Sequence, residues 1–228
     1  PYRALSPDKV LGLIDTLKSD YNLDGIVFQE DNFFANLKRA KKVIDGLIDI
    51  RKVGWKTNSR VNYFYKLVDD TQFMSSLLKS QCKVIQFGIE SGSPRILKMI
   101  NKGIQVDEVV LLNKKLSVYP ISIRYNFMVG FPGETMDDIQ KTFKLINKLR
   151  KDNKNAEPPF LNIYNPYPGT RLYDQALRCG FIEPKNLEGW SKLNWNKPCL
   201  TGFSTNITEF LEKKSAEYFK NSQYLKTL

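Results

Sequence analysis

Short apolar runs recur along this chain, each followed by a polar turn and then by a stretch with helical apolar spacing. The runs are Gly25-Ile26-Val27-Phe28, Trp55-Lys56-Thr57-Asn58, Val84-Ile85-Gln86-Phe87, Ile121 to Val129 and Phe160 to Tyr164. Their centres lie roughly 30 to 40 residues apart, the length of a strand, a crossover helix and the return loop. Between them, Val10, Leu13, Ile14 and Leu17 follow the helix start Ser6-Pro7, and Ala40, Val43, Ile44, Leu47 and Ile48 follow a cap at Asn36. Further helices are expected over Leu67–Leu78, after Ser93-Pro94, over Val106–Leu116, and from the cap Thr135 through Leu149. Strands that alternate with helices in this way form a parallel sheet covered by helices. The order begins with a helix, so a strand before Pro1 is expected. The pattern loosens after residue 170, where Gly180, Pro184, Gly189, Pro198 and Gly202 punctuate a loop-rich stretch, and a last helix is expected from about Thr208. The expected organisation is a barrel portion over 1–170 and an extension over 171–228.

Parallel α/β barrels bind ligands at the carboxyl ends of their strands. The residues in those places are Gln29-Glu30-Asp31-Asn32, Asn58-Ser59-Arg60, Gly88-Ile89-Glu90-Ser91-Gly92-Ser93, Gly130-Phe131-Pro132-Gly133-Glu134-Thr135 and Asn165-Pro166-Tyr167-Pro168-Gly169-Thr170. Each cluster also has a purely structural reading, as helix caps, turn glycines or a rim ion pair. Together they describe a pocket with carboxylates (Glu30, Asp31, Glu90), guanidiniums (Arg60, Arg124) and accessible backbone. Such a pocket suits a zwitterion that carries a sugar and a base, since arginine clamps a carboxylate and carboxylates hold ammonium and hydroxyl groups.

Composition narrows the chemistry. Histidine is absent, which removes Ser-His-Asp hydrolysis and most zinc catalysis. The three cysteines, Cys82, Cys179 and Cys199, are far apart and form neither a Cys-x-x-Cys pair nor a disulfide framework. No apolar run is long enough to span a membrane and no signal sequence opens the chain, so a reducing cytoplasm is expected. The net charge of +11 is read as a lysine-rich composition spread over helix faces more than as a nucleic-acid footprint. A doubly wound dinucleotide fold is disfavoured, because no Gly-x-Gly-x-x-Gly follows the first strand.

Four segments in order carry a resemblance: Phe28-Gln29-Glu30-Asp31-Asn32-Phe33; Phe87-Gly88-Ile89-Glu90-Ser91-Gly92-Ser93-Pro94 with Ile100-Asn101-Lys102-Gly103; Gly130-Phe131-Pro132-Gly133-Glu134-Thr135; and Pro166-Tyr167-Pro168-Gly169-Thr170-Arg171-Leu172-Tyr173. The chain resembles the radical S-adenosylmethionine superfamily over about residues 1–200, closest to the branch with an N-terminal cobalamin-binding domain. The resemblance implies an α/β fold, a partial (β/α)6 TIM-like barrel of parallel strands, with its first strand upstream of this chain. It implies S-adenosylmethionine and a 4Fe–4S cluster as cofactors, cobalamin through an upstream domain, an external electron donor, and reductive cleavage of S-adenosylmethionine to a 5′-deoxyadenosyl radical. Carried over by position, Glu30, Asp31 and Asn32 would lie beside the methionyl amino group, and Glu90 and Ser91 at the ribose or methionyl part. Arg60 and Arg124 would lie near the carboxylate or substrate, and Val129 and Asn165 at the adenine. The family's Cys-x-x-x-Cys-x-x-Cys loop is absent from this chain, so the metal ligands are expected upstream of Pro1. The implied enzyme is a cobalamin-dependent methyltransferase or cyclase acting on a small molecule or peptide. The alternatives are a methylthiotransferase acting on tRNA or ribosomal protein, and a barrel that has lost its cluster and only binds.

Overall fold

The computed structural model describes residues 3–50, 53–193 and 205–221. Its elements follow in the order α1 (Pro7–Tyr21), β1 (Gly25–Val27), a single 3-10 turn (Phe33–Ala35), α2 (Leu37–Ile50), β2 (Gly54–Ser59), α3 (Val61–Phe64), α4 (Thr71–Lys79), β3 (Cys82–Glu90), α5 (Pro94–Met99), α6 (Val106–Leu116), β4 (Ser122–Val129), α7 (Met136–Asp152), β5 (Phe160–Ile163), α8 (Tyr173–Arg178), α9 (Leu187–Ser191) and α10 (Thr205–Asn221). The strands form one five-stranded sheet in the order β1-β2-β3-β4-β5. The ladders run parallel, with Val27 opposite Lys56, Ser59 opposite Phe87 and Val129 opposite Ile163. This is the α/β partial-barrel class, with neighbours in sequence as neighbours in the sheet.

The chain falls into two compact units. The first comprises Pro1–Gly88, Glu108–Arg124 and Asp152–Ala156. Its core is aromatic. Phe28, Phe33 and Trp55 stack with ring centroids 4.8–5.6 Å apart. Phe34, Phe64, Phe73 and Phe87 continue the stack edge to face, the arrangement that aligns ring edges with ring faces. The indole of Trp55 is fully buried, and its N–H is satisfied by the Ser80 carbonyl at 2.8 Å. The expected helix over Leu67–Leu78 begins later, at Thr71. Asp70 turns its carboxylate onto the Phe73 amide at 2.9 Å and caps the helix there. Helices α1 and α2 approach closely at Gly46, where a Cβ would fall 2.2 Å from the Leu11 side chain.

The second unit comprises Ile89–Asp107, Tyr125–Lys151 and Glu157–Leu228. Here Ile96, Phe131 and Leu172 form a buried cluster, joined by Met99, Ile100, Met128 and Tyr164. Tyr173, Ala176 and Phe181 form another, with Trp190 and Leu193 against it. Thus the loop-rich stretch after residue 170 carries two short helices and its own apolar core. The last helix starts at Thr205, earlier than its apolar spacing indicates, and packs on β5. The expected turns at Pro198 and Gly202, like Cys199, lie outside the described residues. Cys82 is the first residue of β3, which begins two residues before the Val84-Ile85-Gln86-Phe87 run.

Candidate functional site

The turn after β1 is held rigidly within the first unit. Arg39, only 8% exposed, lies on α2 and clamps the Glu30 carboxylate with both terminal nitrogens, at 2.8 and 3.1 Å. The Arg39 Nε donates to the Leu5 carbonyl at 2.9 Å, tying the chain entering α1 to the same ion pair. From β2, the Asn58 side-chain amide donates to the Glu30 carbonyl at 3.2 Å, and the Arg60 amide donates to Asn32 Oδ1 at 3.4 Å. The turns after β1 and β2 are therefore one hydrogen-bonded assembly, with Asp31 and the Arg60 side chain exposed. Arg124, expected at the carboxyl end of a strand, is instead the third residue of β4 and is buried. Sequence reasoning gave Arg39 no role. Its signal was faint, a lone arginine in the Lys-Arg-Ala-Lys-Lys run on a helix that elsewhere reads as amphipathic.

The turn after β3 belongs to the second unit and is unusual in its backbone. Glu90 has φ +71°, the left-handed region, where a residue with a Cβ is strained by roughly 1 kcal/mol or more. Its carboxylate accepts the Lys102 ammonium at 2.8 Å, and both side chains remain about one-fifth exposed. Lys102 sits at the end of α5 in the Ile100-Asn101-Lys102-Gly103 turn, which sequence reading singled out without assigning a role. Ser91 is fully buried. Its hydroxyl lies 3.2 Å from that of Thr142 and accepts the Ser93 amide at 3.0 Å, so the side chain faces inward. Gly92 is a forced choice: a Cβ there would fall 2.5 Å from the Lys141 carbonyl oxygen and 2.7 Å from the Thr142 Cα, both backbone atoms.

The turn after β4 is built around Glu134. Its Oε2 accepts the amides of Gly130 (2.6 Å) and Phe131 (3.2 Å), closing the Gly-Phe-Pro-Gly-Glu loop on itself. Gly130 and Gly133 take φ +83° and +74°, which only glycine adopts without cost. The Oε1 of Glu134 is buried and has no hydrogen-bond partner among the described residues. Burial pushes the Glu134 carboxyl up to about 7, against the two amides that favour its charged form. Val129 is fully buried at the end of β4, and Asn165 is half-buried after β5.

Among the described residues there is no group of three or more His, Cys, Asp or Glu that could hold a metal ion. Cys82 is 2% exposed, and burial pushes its thiol above the ordinary thiol range, so it stays neutral. The described residues therefore do not fit a 4Fe–4S cluster. They do fit a nucleoside with a zwitterionic tail. The Glu90–Lys102 pair offers both charge signs at one partly exposed point, and the turn after β4 brings glycine backbone beside an apolar strand end.

A profile of the Radical SAM superfamily matches residues 1–146, and the chain belongs to that superfamily. Its members are enzymes that use S-adenosylmethionine and a 4Fe–4S cluster. The chain is 31% identical over 231 residues to an uncharacterised methyltransferase of Pyrococcus horikoshii, a match that covers 98% of this chain and 47% of that protein. It is 32% identical over 151 residues to the tRNA-2-methylthio-N(6)-dimethylallyladenosine synthase of Buchnera aphidicola, covering 64% of this chain and 31% of that protein. The chain thus spans about half the length, or less, of these relatives. Among solved structures, the radical S-adenosylmethionine methyltransferase TsrM of Kitasatospora setae, with cobalamin and a 4Fe–4S cluster bound, superimposes with a TM-score of 0.63 at 15% identity. That match covers 76% of this chain and 32% of TsrM. The cobalamin-dependent S-adenosylmethionine radical enzyme OxsB superimposes with a TM-score of 0.57 at 17% identity, over 94% of this chain and 32% of OxsB. At these identities the two structures speak for the fold. No helix among the described residues is long and apolar enough to cross a membrane.

Proposed function

We propose that this chain is the S-adenosylmethionine-binding core of a cobalamin-dependent radical methyltransferase that works with an external one-electron donor. The observation that carries the reading is the match to a methyltransferase along 98% of the chain, on a fold shared with TsrM and OxsB. In this reading Glu90 and Lys102 hold the ribose hydroxyls or methionyl charges, and Val129, Gly130 and Asn165 receive the adenine. Ser91 acts through its backbone, since its hydroxyl is committed to Thr142 and Ser93. In the first unit, Arg39 and Asn58 fix the Glu30-Asp31-Asn32 turn. S-adenosylmethionine, when bound, supplies an activated methyl group and a cleavable sulfonium. The residues described here bind it, orient it and exclude water from it.

A second reading, methylthio transfer to tRNA, is favoured by the run of tRNA methylthiotransferases that match between 55% and 80% of the chain. One experiment separates the two. The full-length protein, reconstituted without oxygen and supplied with methylcobalamin, reductant and methyl-labelled S-adenosylmethionine, is expected to label a small molecule or peptide with methyl alone. Incorporation of sulfur together with the methyl group into tRNA would replace the first reading with the second.

A further inference from the structure

The turns after β3 and β4 meet on one helix. Asp138 and Thr142 lie one turn apart on α7, and both are buried, at 2% and 0% exposed. Asp138 Oδ1 accepts the Ser93 hydroxyl at 2.5 Å, from the turn after β3. Its Oδ2 accepts both the amide (3.0 Å) and the hydroxyl (2.6 Å) of Thr135, from the turn after β4. The same carboxylate takes the Arg95 guanidinium, whose Nη2 also donates to the Gly133 carbonyl at 2.8 Å. Thr142 completes the grip on the first turn: its hydroxyl accepts the Gly92 amide at 2.9 Å and meets the Ser91 hydroxyl at 3.2 Å. The missing Cβ of Gly92 is what lets that amide reach α7.

We infer that Asp138 and Thr142 are positioning residues, which lock the Glu90–Ser91 turn to the Gly130–Glu134 turn in the spacing that S-adenosylmethionine binding needs. The inference rests on the reading that these two turns hold S-adenosylmethionine. Glu90 is held in a strained left-handed conformation, and such a conformation persists only where the surrounding structure dictates it. The two residues that follow Glu90 are the ones Thr142 grips. The turn after β4 is tied back through Thr135 and Gly133. A carboxylate is the one side chain that suits Asp138, because every group facing it is a donor. An asparagine would turn an NH2 toward one of those donor sets and leave it unmet.

The test uses the full-length, cluster-loaded protein and measures its affinity for S-adenosylmethionine by calorimetry, with the melting temperature of each variant beside it. Asp138→Asn is expected to weaken binding about tenfold, the size of one lost charge-assisted hydrogen bond. Thr142→Val, which removes the hydroxyl at constant shape, is expected to weaken it similarly, and Thr142→Ser, which keeps the hydroxyl, to restore it. A purely structural role would track the melting temperature and would not follow the hydroxyl. Asp137→Asn, an exposed neighbour paired with Lys141, is the control and should bind as wild type. If Asp138→Asn does not fold, the Val and Ser pair at Thr142 decides. Wild-type affinity in Thr142→Val would overturn the inference, as would wild-type affinity in a folded Asp138→Asn. Glu90→Ala is measured alongside. If it too binds as wild type, the reading of the site itself fails; if it alone weakens binding, only the positioning role fails.

Discussion

At the scale of single residues, the charges in this unit are sorted by what surrounds them. Burial opposes ionisation of Asp138, but hydrogen bonds from Arg95, Ser93 and Thr135 outweigh it and hold the carboxyl well below the usual carboxylate range. Glu134, four residues earlier, is also buried but has only two amide donors, and its carboxyl rises to about 7. A carboxyl whose folded pKa is raised binds protons more tightly in the folded state than in the unfolded one. Its contribution to stability is full below about 4.5, the ordinary value, and is lost as pH rises through about 7. The loss is on the order of 3 kcal/mol. Glu134→Gln should therefore flatten the stability curve between pH 5 and 8. The variant should gain on the wild type as pH rises, because an amide oxygen still accepts from Gly130 and Phe131 and nothing titrates. Denaturant melts at the two pH values read this directly, and parallel curves for the two proteins would show that Glu134 is charged throughout. Ligand contact is tested separately. Glu90→Ala should weaken S-adenosylmethionine binding by about 1.5–3 kcal/mol, and Lys83→Ala, at the start of β3 and exposed, should not. Equal affinities in the two variants would remove Glu90 from the site.

At the scale of elements, the strands and most helices were legible because each is a local pattern. β2 alternates half-buried and buried residues in strict order, and β4 places a buried apolar side chain at every second position, Ile123, Tyr125, Phe127 and Val129. Caps were legible too: Ser6, Asn36 and Ser93 each accept from an amide three residues on. Helix α4 was mis-started because Leu67 and Val68 are buried and match the helical spacing, yet Asp70 diverts the chain first. The candidate residues of each unit were legible only in part, for a related reason. Glu30, Glu90 and Glu134 follow strands and so announce themselves. Arg39, Asp138 and Thr142 sit inside helices, where a polar residue reads as a solvent face, and only the three-dimensional packing turns them inward. Gly92 belongs with them, since its value depends on how close α7 comes. Gly92→Ala places a methyl group against the backbone of Lys141 and Thr142 and should cost about 1–3 kcal/mol by overpacking. Gly12→Ala, on α1 with nothing within 4 Å of the added atom, should be neutral or slightly stabilising. Chemical denaturation of the two variants checks the contrast, and an equal cost at both sites would mean that α7 yields.

At the scale of the whole molecule, the question is where the metal chemistry of a radical S-adenosylmethionine enzyme is held. Iron–sulfur clusters are bound by thiolates, and a thiolate must be exposed enough to deprotonate or be stabilised by a neighbouring positive charge. Cys82 opens β3 in the first unit, packed in the core, with its thiol held neutral by burial. Cys179 follows α8 in the second unit and is only half-buried. Among the described residues neither sits in a group of three or more ligating side chains, and histidine, the common substitute, does not occur in the sequence. The chain nevertheless belongs to a family that requires the cluster, and it spans about half the length of its methyltransferase relative. The expectation is that ligation is entirely independent of these cysteines. In the full-length protein, Cys82→Ala and Cys179→Ser, singly and together, should leave the iron and sulfide content after anaerobic reconstitution unchanged. Cys82→Ala should show its effect in thermal stability instead, since the lost sulfur leaves a small gap in a packed core. A fall in iron content of the double variant by a quarter or more, the share of one ligand among about four, with the fold intact by circular dichroism, would place a cluster ligand inside this chain and overturn the assignment of Cys82 and Cys179 to structure.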